Sequence, residues 1–452
     1  MGSTASSRLR SIGSTPAPES SRDGSADPHY GHPMGETRKG PLDGYRILEL
    51  TTTVSGPMAA MTLADQGAEV LKIEPPFTGD TARFLGPARN GMAAMFATVN
   101  RNKKSVCLDL KVDEERAIFL DLVRTADALI ENYRPGVLDR MGLGYEALSA
   151  IRPELVYASI TGYGTGPYEN RRVFDPLIQA TAGTAAAQGG DDPENIRMII
   201  FDKVTALTTA QAVTAALLER ARTGRGQYLP ITMLESALSY QWPDVMWSRT
   251  YIGEGVSSGP GELADWFPTF QAADGPVSII LVSDGALELF SIWREASLHT
   301  DPRFATPALR EANIDELVAE VNALIADVPV AEVCATLDVF GVPVARVNTL
   351  DEVFDDEQVR HLGAIIETEH PDGGPMRIAR PPVPFGGVRE TAETFPAKHA
   401  PRLGENSAAV LGELGVDSET IARLLARDAQ NAAAVHAMLE ARAAAEAAST
   451  DD

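Results

Sequence analysis

Histidine is scarce in this 452-residue chain and unevenly placed: there are seven, and none lies between His32 and His299. Chemistry carried by the first half of the fold must therefore use carboxylates, lysines, hydroxyls or backbone dipoles, because the usual base at neutral pH is missing there. Cysteine is scarcer still. Cys107 and Cys334 are the only two, too few for a disulfide framework and without the spacing of a thiolate metal site, so no bound metal is expected and a reducing cytoplasm fits. No apolar run approaches the roughly 18 residues of a membrane helix, and the N-terminus opens on polar residues rather than on a basic end and an apolar core. Neither a membrane span nor secretion is expected. Positive charge is also short: Lys and Arg number 39 against 63 Asp and Glu, a formal net charge of −24. That balance disfavours nucleic acid and anionic membranes as partners, so a polyanionic ligand needs a local basic patch.

What is present is a chain that is 44% hydrophobic, enough for a substantial core and two or three domains. Residues 1–40 are rich in Ser, Gly, Pro and charge with almost no aliphatics, which predicts a disordered leader. From Leu42 the pattern alternates. "YRILEL" (45–50) reads as a strand, "GPMAAMTLADQGA" (56–68) as a helix entered through Pro57, and "EVLKIE" (69–74) as a strand again. "KSVCLDL" (104–110), the helical "DEERAIFLDLVRTA" (113–126), "DALIEN" (127–132) and "LVYASITGYG" (155–164) continue it. The fold class is α/β with a Rossmann-like parallel sheet, whose ligands bind at the carboxyl ends of strands. A long Ala-rich helix (202–223) closes on Gly224, and a strand running into a helix follows. The large domain is expected over 41–225, a linker over 226–265, and a smaller α+β domain over 266–347 that opens on a hairpin at Asp274-Gly275. A return segment and the last part of the large domain occupy 348–427, and 428–452 is an Ala-rich tail.

Two basic clusters stand out against the acidic background. "NRNKKSVCLDLK" (100–111) carries Arg101, Lys103, Lys104 and Lys111 around a strand, and "RPGVLDRMG" (134–142) adds Arg134 and Arg140 after another. Each reads either as a solvated charged face or, at the strand ends of an α/β sheet, as a seat for one anionic, nucleotide-like ligand. Neither common phosphate fingerprint, the P-loop or the G-x-G-x-x-G turn, is present. "QGGDDPEN" (188–195) sets two glycines before two aspartates and a proline: either a hydrated turn or a bend that presents a carboxylate.

In order along the chain, "PLDGYRILEL", "GPMAAMTLADQGAEVLKIEPP", "NRNKKSVCLDLK", "ADALIENYRPGVLDRMGLGYEAL", "YASITGYGTGPY", "FDPLIQATAG" and "TGRGQ" resemble the class III CoA-transferases, which share their fold with α-methylacyl-CoA racemase. The resemblance spans about Leu42 to Leu425. It implies that coenzyme A, as the acyl-CoA substrate, lies against Thr53-Val54-Ser55-Gly56-Pro57 and against Leu108, Lys111, Asn132, Tyr133 and Arg140, with Arg101, Lys103 and Lys104 adding charge. Leu108 and Tyr133 also read as ordinary core residues. Pro75 and Thr161 stand where relatives have an arginine and a lysine. The resemblance places the nucleophile at Asp192, with Asp191 beside it and the Gly189-Gly190 amides as oxyanion donors, for transfer of CoA to a small carboxylic acid through an aspartyl anhydride and an aspartyl-CoA thioester. It further implies an interlocked homodimer. The alternatives are a 2-methylacyl-CoA racemase, whose histidine position is occupied here by Phe174 and whose aspartate by Asp202, and a CoA-binding relative without turnover. Asp202 also reads as an N-cap of its helix, and Glu235 as a solvated helix-face residue or a group near the site.

Overall fold

Six short strands form the large sheet, five of them buried along most of their length and the last half-exposed: β1 (Arg46–Leu50), β2 (Glu69–Glu74), β3 (Lys103–Cys107), β4 (Ala128–Glu131), β5 (Val156–Thr161) and β6 (Gln227–Thr232). In the computed structural model, which describes residues 40–255, 267–385 and 399–431, they form one sheet in the order β3-β2-β1-β4-β5-β6. Every neighbouring pair is parallel. This is the doubly wound order, and the winding direction reverses between β1 and β4, where such sheets open a crevice at their carboxyl ends.

The helices that cover the sheet are α1 (Ser55–Asp65), α2 (Asp113–Thr125), α3 (Asp175–Thr181), α4 (Thr184–Gly189), α5 (Ile200–Thr223) and α6 (Met233–Gln241). On one face, small residues let α1 and α5 approach closely: Ala60, Leu63 and Ala64 share a core with Ala210, Val213 and Leu217. On the other, Phe119, Leu122 and Val123 of α2 meet Val410, Leu411 and Leu424 from the far end of the chain. That end also protects the edge strand. The Ser105 amide donates to Asn406 Oδ1 at 2.9 Å and the Cys107 amide to Ser407 Oγ at 3.0 Å, so donors of an open sheet edge are satisfied. Residues 406–424 thus complete the sheet unit begun at β1.

A second core forms around Phe270, Val277, Phe290, Phe304, Val321 and Leu337. Its sheet begins with the expected hairpin, β7 (Thr269–Ala272) against β8 (Gly275–Ile279), and β9 (Val344–Arg346) adds to β8 antiparallel. Residues 365–379 return as a further hairpin. Among the described residues, no helix is long and apolar enough to cross a membrane. The expected leader up to residue 39, the linker's last residues 256–265 and the tail from 432 lie outside the described residues.

Candidate active site

The switch point between β1 and β4 holds a cleft of about 610 Å³, within the usual range of small-molecule sites. Its floor and walls come from the ends of β1, β2, β4 and β5, and from the first turn of α5.

One wall is the turn that leaves β1. Thr53 has φ of 74°, and it is the only β-branched residue among the described ones in the left-handed region, where a branched side chain crowds its own backbone. Two side chains from other elements hold it there. Asp80 Oδ1 accepts from the Thr53 amide at 2.8 Å, from Thr52 Oγ1 at 2.7 Å and from the Ala82 amide at 2.9 Å. From β4, Asn132 accepts from the Thr52 amide at 3.0 Å and donates to the Thr52 carbonyl at 2.9 Å. Three residues beyond Thr53, a Cβ on Gly56 would sit 2.3 Å from Thr51 Cγ2, so only glycine lets the turn fold back at the start of α1.

Beneath this wall lies a buried chain of charges. Lys72 Nζ donates to Glu49 Oε1 at 2.7 Å and pairs with Asp80 Oδ2 at 2.9 Å, while Lys103 Nζ pairs with Glu49 Oε2 at 2.7 Å. All four side chains are fully buried. Burial opposes the Lys72 charge, but Glu49, Asp80 and Glu74 outweigh it and hold the ammonium above its ordinary range. Lys103 is pushed down to about 8, by burial first and by repulsion from Lys72.

The opposite wall carries Asp202 in the first turn of α5. Asp202 does not cap that helix. The Asp175 carboxylate, reaching over from α3, accepts instead from the Phe201 amide at 2.6 Å and the Asp202 amide at 2.9 Å, and Gln179 donates to its other oxygen at 2.6 Å. With the amides served from outside, the Asp202 carboxylate is free to meet the amide and hydroxyl of Ser55 at the start of α1. Burial, with the Asp175 charge beside it, pushes Asp202 up to about 6. It is a partly buried carboxylate at a helix N-terminus, ionised at neutral pH and facing a cavity.

Arg134, Arg171 and Arg172 also line the cleft. Among the described residues none of the three pairs with a carboxylate, although Arg171 lies 3.6 Å over the Tyr168 ring. The acids Glu74 and Asp80 in the same lining are neutralised by Arg83 and Lys72. In a protein of net charge −24 the three arginines, set against Glu169 and Asp202 in the same lining, gather positive charge over an apolar floor that includes Ile73, Ile160 and Met233.

The expected site residues divide sharply. Ser55, Asn132 and Tyr133 line the cleft, as do Pro75, Thr161 and Phe174. Asn132, however, spends its amide group on Thr52. Val54 and Gly56 are buried in the turn beside it. Lys111 and Arg140 are exposed and outside the cleft lining. Leu108 is packed in the core. Arg101 pairs with Asp65 at 2.6 Å, Lys103 with Glu49, and Lys104 with Glu69 at 2.5 Å. Three cations of the first basic cluster, Arg101, Lys103 and Lys104, are therefore neutralised inside the fold, and the fourth, Lys111, stands outside the cleft lining. Asp191 and Asp192 are exposed in the bend after α4, and neither they nor Gly189 and Gly190 line the cleft. The Asp192 amide closes this bend on the Gly189 carbonyl at 3.1 Å. The bend needs its glycine for packing, because a Cβ on Gly189 would lie 2.7 Å from the Glu194 amide nitrogen. Glu235 is engaged with the helix N-cap Thr232, whose hydroxyl accepts from the Glu235 amide at 3.0 Å and donates to Glu235 Oε2 at 2.7 Å. Asp175, Arg171 and Arg172 were passed over. An Arg-Arg pair just ahead of a helix start in an acidic chain is the signal that marks them.

The model of CoA-transferase family III matches residues 42–407. A mouse succinyl-CoA:glutarate CoA-transferase is 33% identical over 85% of this chain and 89% of that protein. An acetyl-CoA:oxalate CoA-transferase of Acetobacter aceti is 34% identical over 83% of this chain and 96% of that protein. A crystal structure of a CAIB/BAIF family protein from Brucella suis is 32% identical and superposes with a TM-score of 0.71, covering 83% of this chain and all of that one.

Proposed function

The chain belongs to CoA-transferase family III, enzymes that transfer CoA between acyl-CoA thioesters and carboxylates, and from that premise we propose that Asp202, rather than Asp192, is the attacking group. The observation that carries this reading is that Asp202 is a partly buried carboxylate in the lining of the switch-point cleft, beside the amide and hydroxyl of Ser55 and without a cation among the described residues, while Asp175 serves the amides of its helix.

The carboxylate attacks the thioester carbonyl, the carbon–sulfur bond breaks, and CoA leaves as a thiolate from a mixed aspartyl anhydride. The thiolate returns on the aspartyl carbonyl, releasing the donor acid and forming an aspartyl-CoA thioester. The acceptor carboxylate attacks that thioester to give a second anhydride, and the thiolate takes the acceptor acyl group, restoring the aspartate. Arg134, Arg171 and Arg172 supply the charge that the phosphates of CoA require. The racemase alternative is not favoured: Phe174 cannot carry a proton, and the relatives named above are transferases. The reading includes an interlocked homodimer in the cytoplasm. Exposed Tyr240, Trp242, Tyr251 and Ile252 offer apolar surface for a partner subunit to cover.

Two measurements follow. Hydroxylamine added during turnover is expected to convert the aspartyl thioester to a hydroxamate on the tryptic peptide 198–203, whose only side-chain carboxylate is Asp202. A hydroxamate on the peptide that carries Asp191 and Asp192 would return the role to that bend. The second is the pH profile. The nucleophile must be ionised, and Asp202 stands near 6. kcat/KM is therefore expected to be flat above that value and to fall by about tenfold per pH unit below it. An acid limb near pH 4, where an unperturbed aspartate titrates, contradicts the assignment.

A further inference from the structure

The strained turn at Thr53 forms a wall of the cleft, and the buried charge chain behind it takes no part in the sheet's own pairing; their placement points to a further role. We infer that Asp80 is a positioning residue for the reaction: by holding Thr53 in the left-handed region it fixes the start of α1, so that Ser55 presents its amide and hydroxyl to Asp202. The inference rests on the proposal that Asp202 is the nucleophile.

The geometry is continuous from one group to the next. Asp80 Oδ1 takes three donors from the turn and its own loop, and Lys72 holds Oδ2 at 2.9 Å. Asp80 itself is oriented by its amide, which donates to Glu74 Oε2 at 2.9 Å. Asn132 clamps Thr52 from the other strand. A β-branched residue leaves the left-handed region unless its surroundings over-determine it, and here two side chains on separate elements do so. Two residues beyond Thr53, Ser55 is buried at the start of α1 and shares the cleft lining with Asp202, whose ionised form its amide and hydroxyl favour.

The charged group that faces Asp202 is Asp175 on α3. The ionisable residue of α1, Asp65, lies at its far end and pairs with Arg101, and the acid of α6, Glu235, is engaged with Thr232. Losing the Ser55 donors removes stabilisation of the ionised form, which moves the acid limb of the pH profile upward. Removing the Asp80 charge through space alone would move it downward, because one anion fewer favours ionisation of another. The two causes therefore differ in sign.

The test is a double-substitution cycle. Asp80→Ala is expected to raise the acid limb and to lower kcat by roughly ten- to a hundredfold, the worth of hydrogen bonds to a charged group, with a smaller change in KM for the acyl-CoA. In the Thr53→Gly background the positive φ is unstrained and needs no clamp, so the same Asp80→Ala change is expected to move the limb and kcat much less. Asp80→Asn keeps an acceptor oxygen and is expected to stay closer to the parent than Asp80→Ala. Should Asp80→Ala not fold, Asn132→Ala, which removes the uncharged clamp, carries the same prediction against the same background. A limb that stays put or falls, or equal effects in both backgrounds, overturns the inference. Hydroxamate mapping on each variant separates the two levels: an adduct that remains on peptide 198–203 keeps the nucleophile assignment whatever the cycle shows, whereas an adduct elsewhere removes both.

Discussion

Asp202→Asn is expected to lower CoA transfer by at least about a thousandfold, the scale of losing a covalent nucleophile, whereas Asp192→Asn and Asp191→Asn stay within about twofold of the parent, as exposed surface changes do. The contrast follows from environment rather than residue type. Asp192 stands exposed in the bend after α4, outside the cleft lining. Asp202 is desolvated, held by Ser55 and pushed up to about 6 by burial and by Asp175. Such a group stays ionised at neutral pH yet is less stabilised by water than a surface acid, which suits nucleophilic attack. Misfolding is separable from loss of chemistry. An acid whose folded pKa lies above its unfolded value costs the fold stability at neutral pH, and that cost is relieved as pH falls through the folded value. Replacing Asp202 with the amide removes the cost, so Asp202→Asn is expected to be at least as stable as the parent at pH 7. A variant that is both inactive and less stable than the parent would undercut this account of the site.

Lys72→Met has the largest expected effect on stability, about 3–5 kcal/mol, the usual result of removing one partner from a buried ionic network. Lys72 sits fully buried between Glu49 and Asp80. Methionine matches the stem in length and packs well, but it leaves two carboxylates with Lys103 as their remaining partner. Burial opposes the Asp80 charge, and the Lys72 ammonium that outweighs burial in the parent is gone, so Asp80 titrates higher in the variant. The sign follows: the penalty is greatest at neutral and higher pH, where the acids would have to be buried ionised, and it shrinks as pH falls and they take up protons. Urea midpoints at pH 5.5 and pH 8 read this directly, with the larger gap between variant and parent expected at pH 8. An equal gap at both would mean that the lost stability is packing rather than charge.

Much of the fold was legible because its signals are local. The β–α alternation from Arg46 to Thr161 reads directly from apolar runs and helix stops, and Gly224, in the left-handed conformation at φ of 71°, ends α5 where a C-terminal glycine is expected. The Asp274-Gly275 hairpin was likewise readable from its turn residues. The site was legible only in part, because it is assembled from strand ends far apart in sequence. The resemblance places the nucleophile at Asp192, whereas the carboxylate at the cleft is set by which helix starts at the switch point and by what else satisfies its first amides. Sequence alone presents Asp202 as a helix-capping acid; the Asp175 carboxylate, 27 positions earlier, takes that task and releases it. The lysines were misread for a related reason. Spacing shows that cations cluster, not which are already paired, yet "EVLKIE" held the clue: an ammonium inside a strand buried on both faces requires a buried carboxylate.

The measurement that bears most directly on the central claim is oxygen transfer. In the proposed cycle the oxygen that bridges the acceptor and the enzyme in the second anhydride stays with the aspartate when CoA takes the acyl group. Turnover with an acceptor acid labelled with heavy oxygen in its carboxylate, followed by tryptic digestion and mass spectrometry, is predicted to place label in the peptide 198–203, on Asp202. Label that is absent from that peptide after many turnovers, or that appears instead in the peptide carrying Asp191 and Asp192, would contradict it.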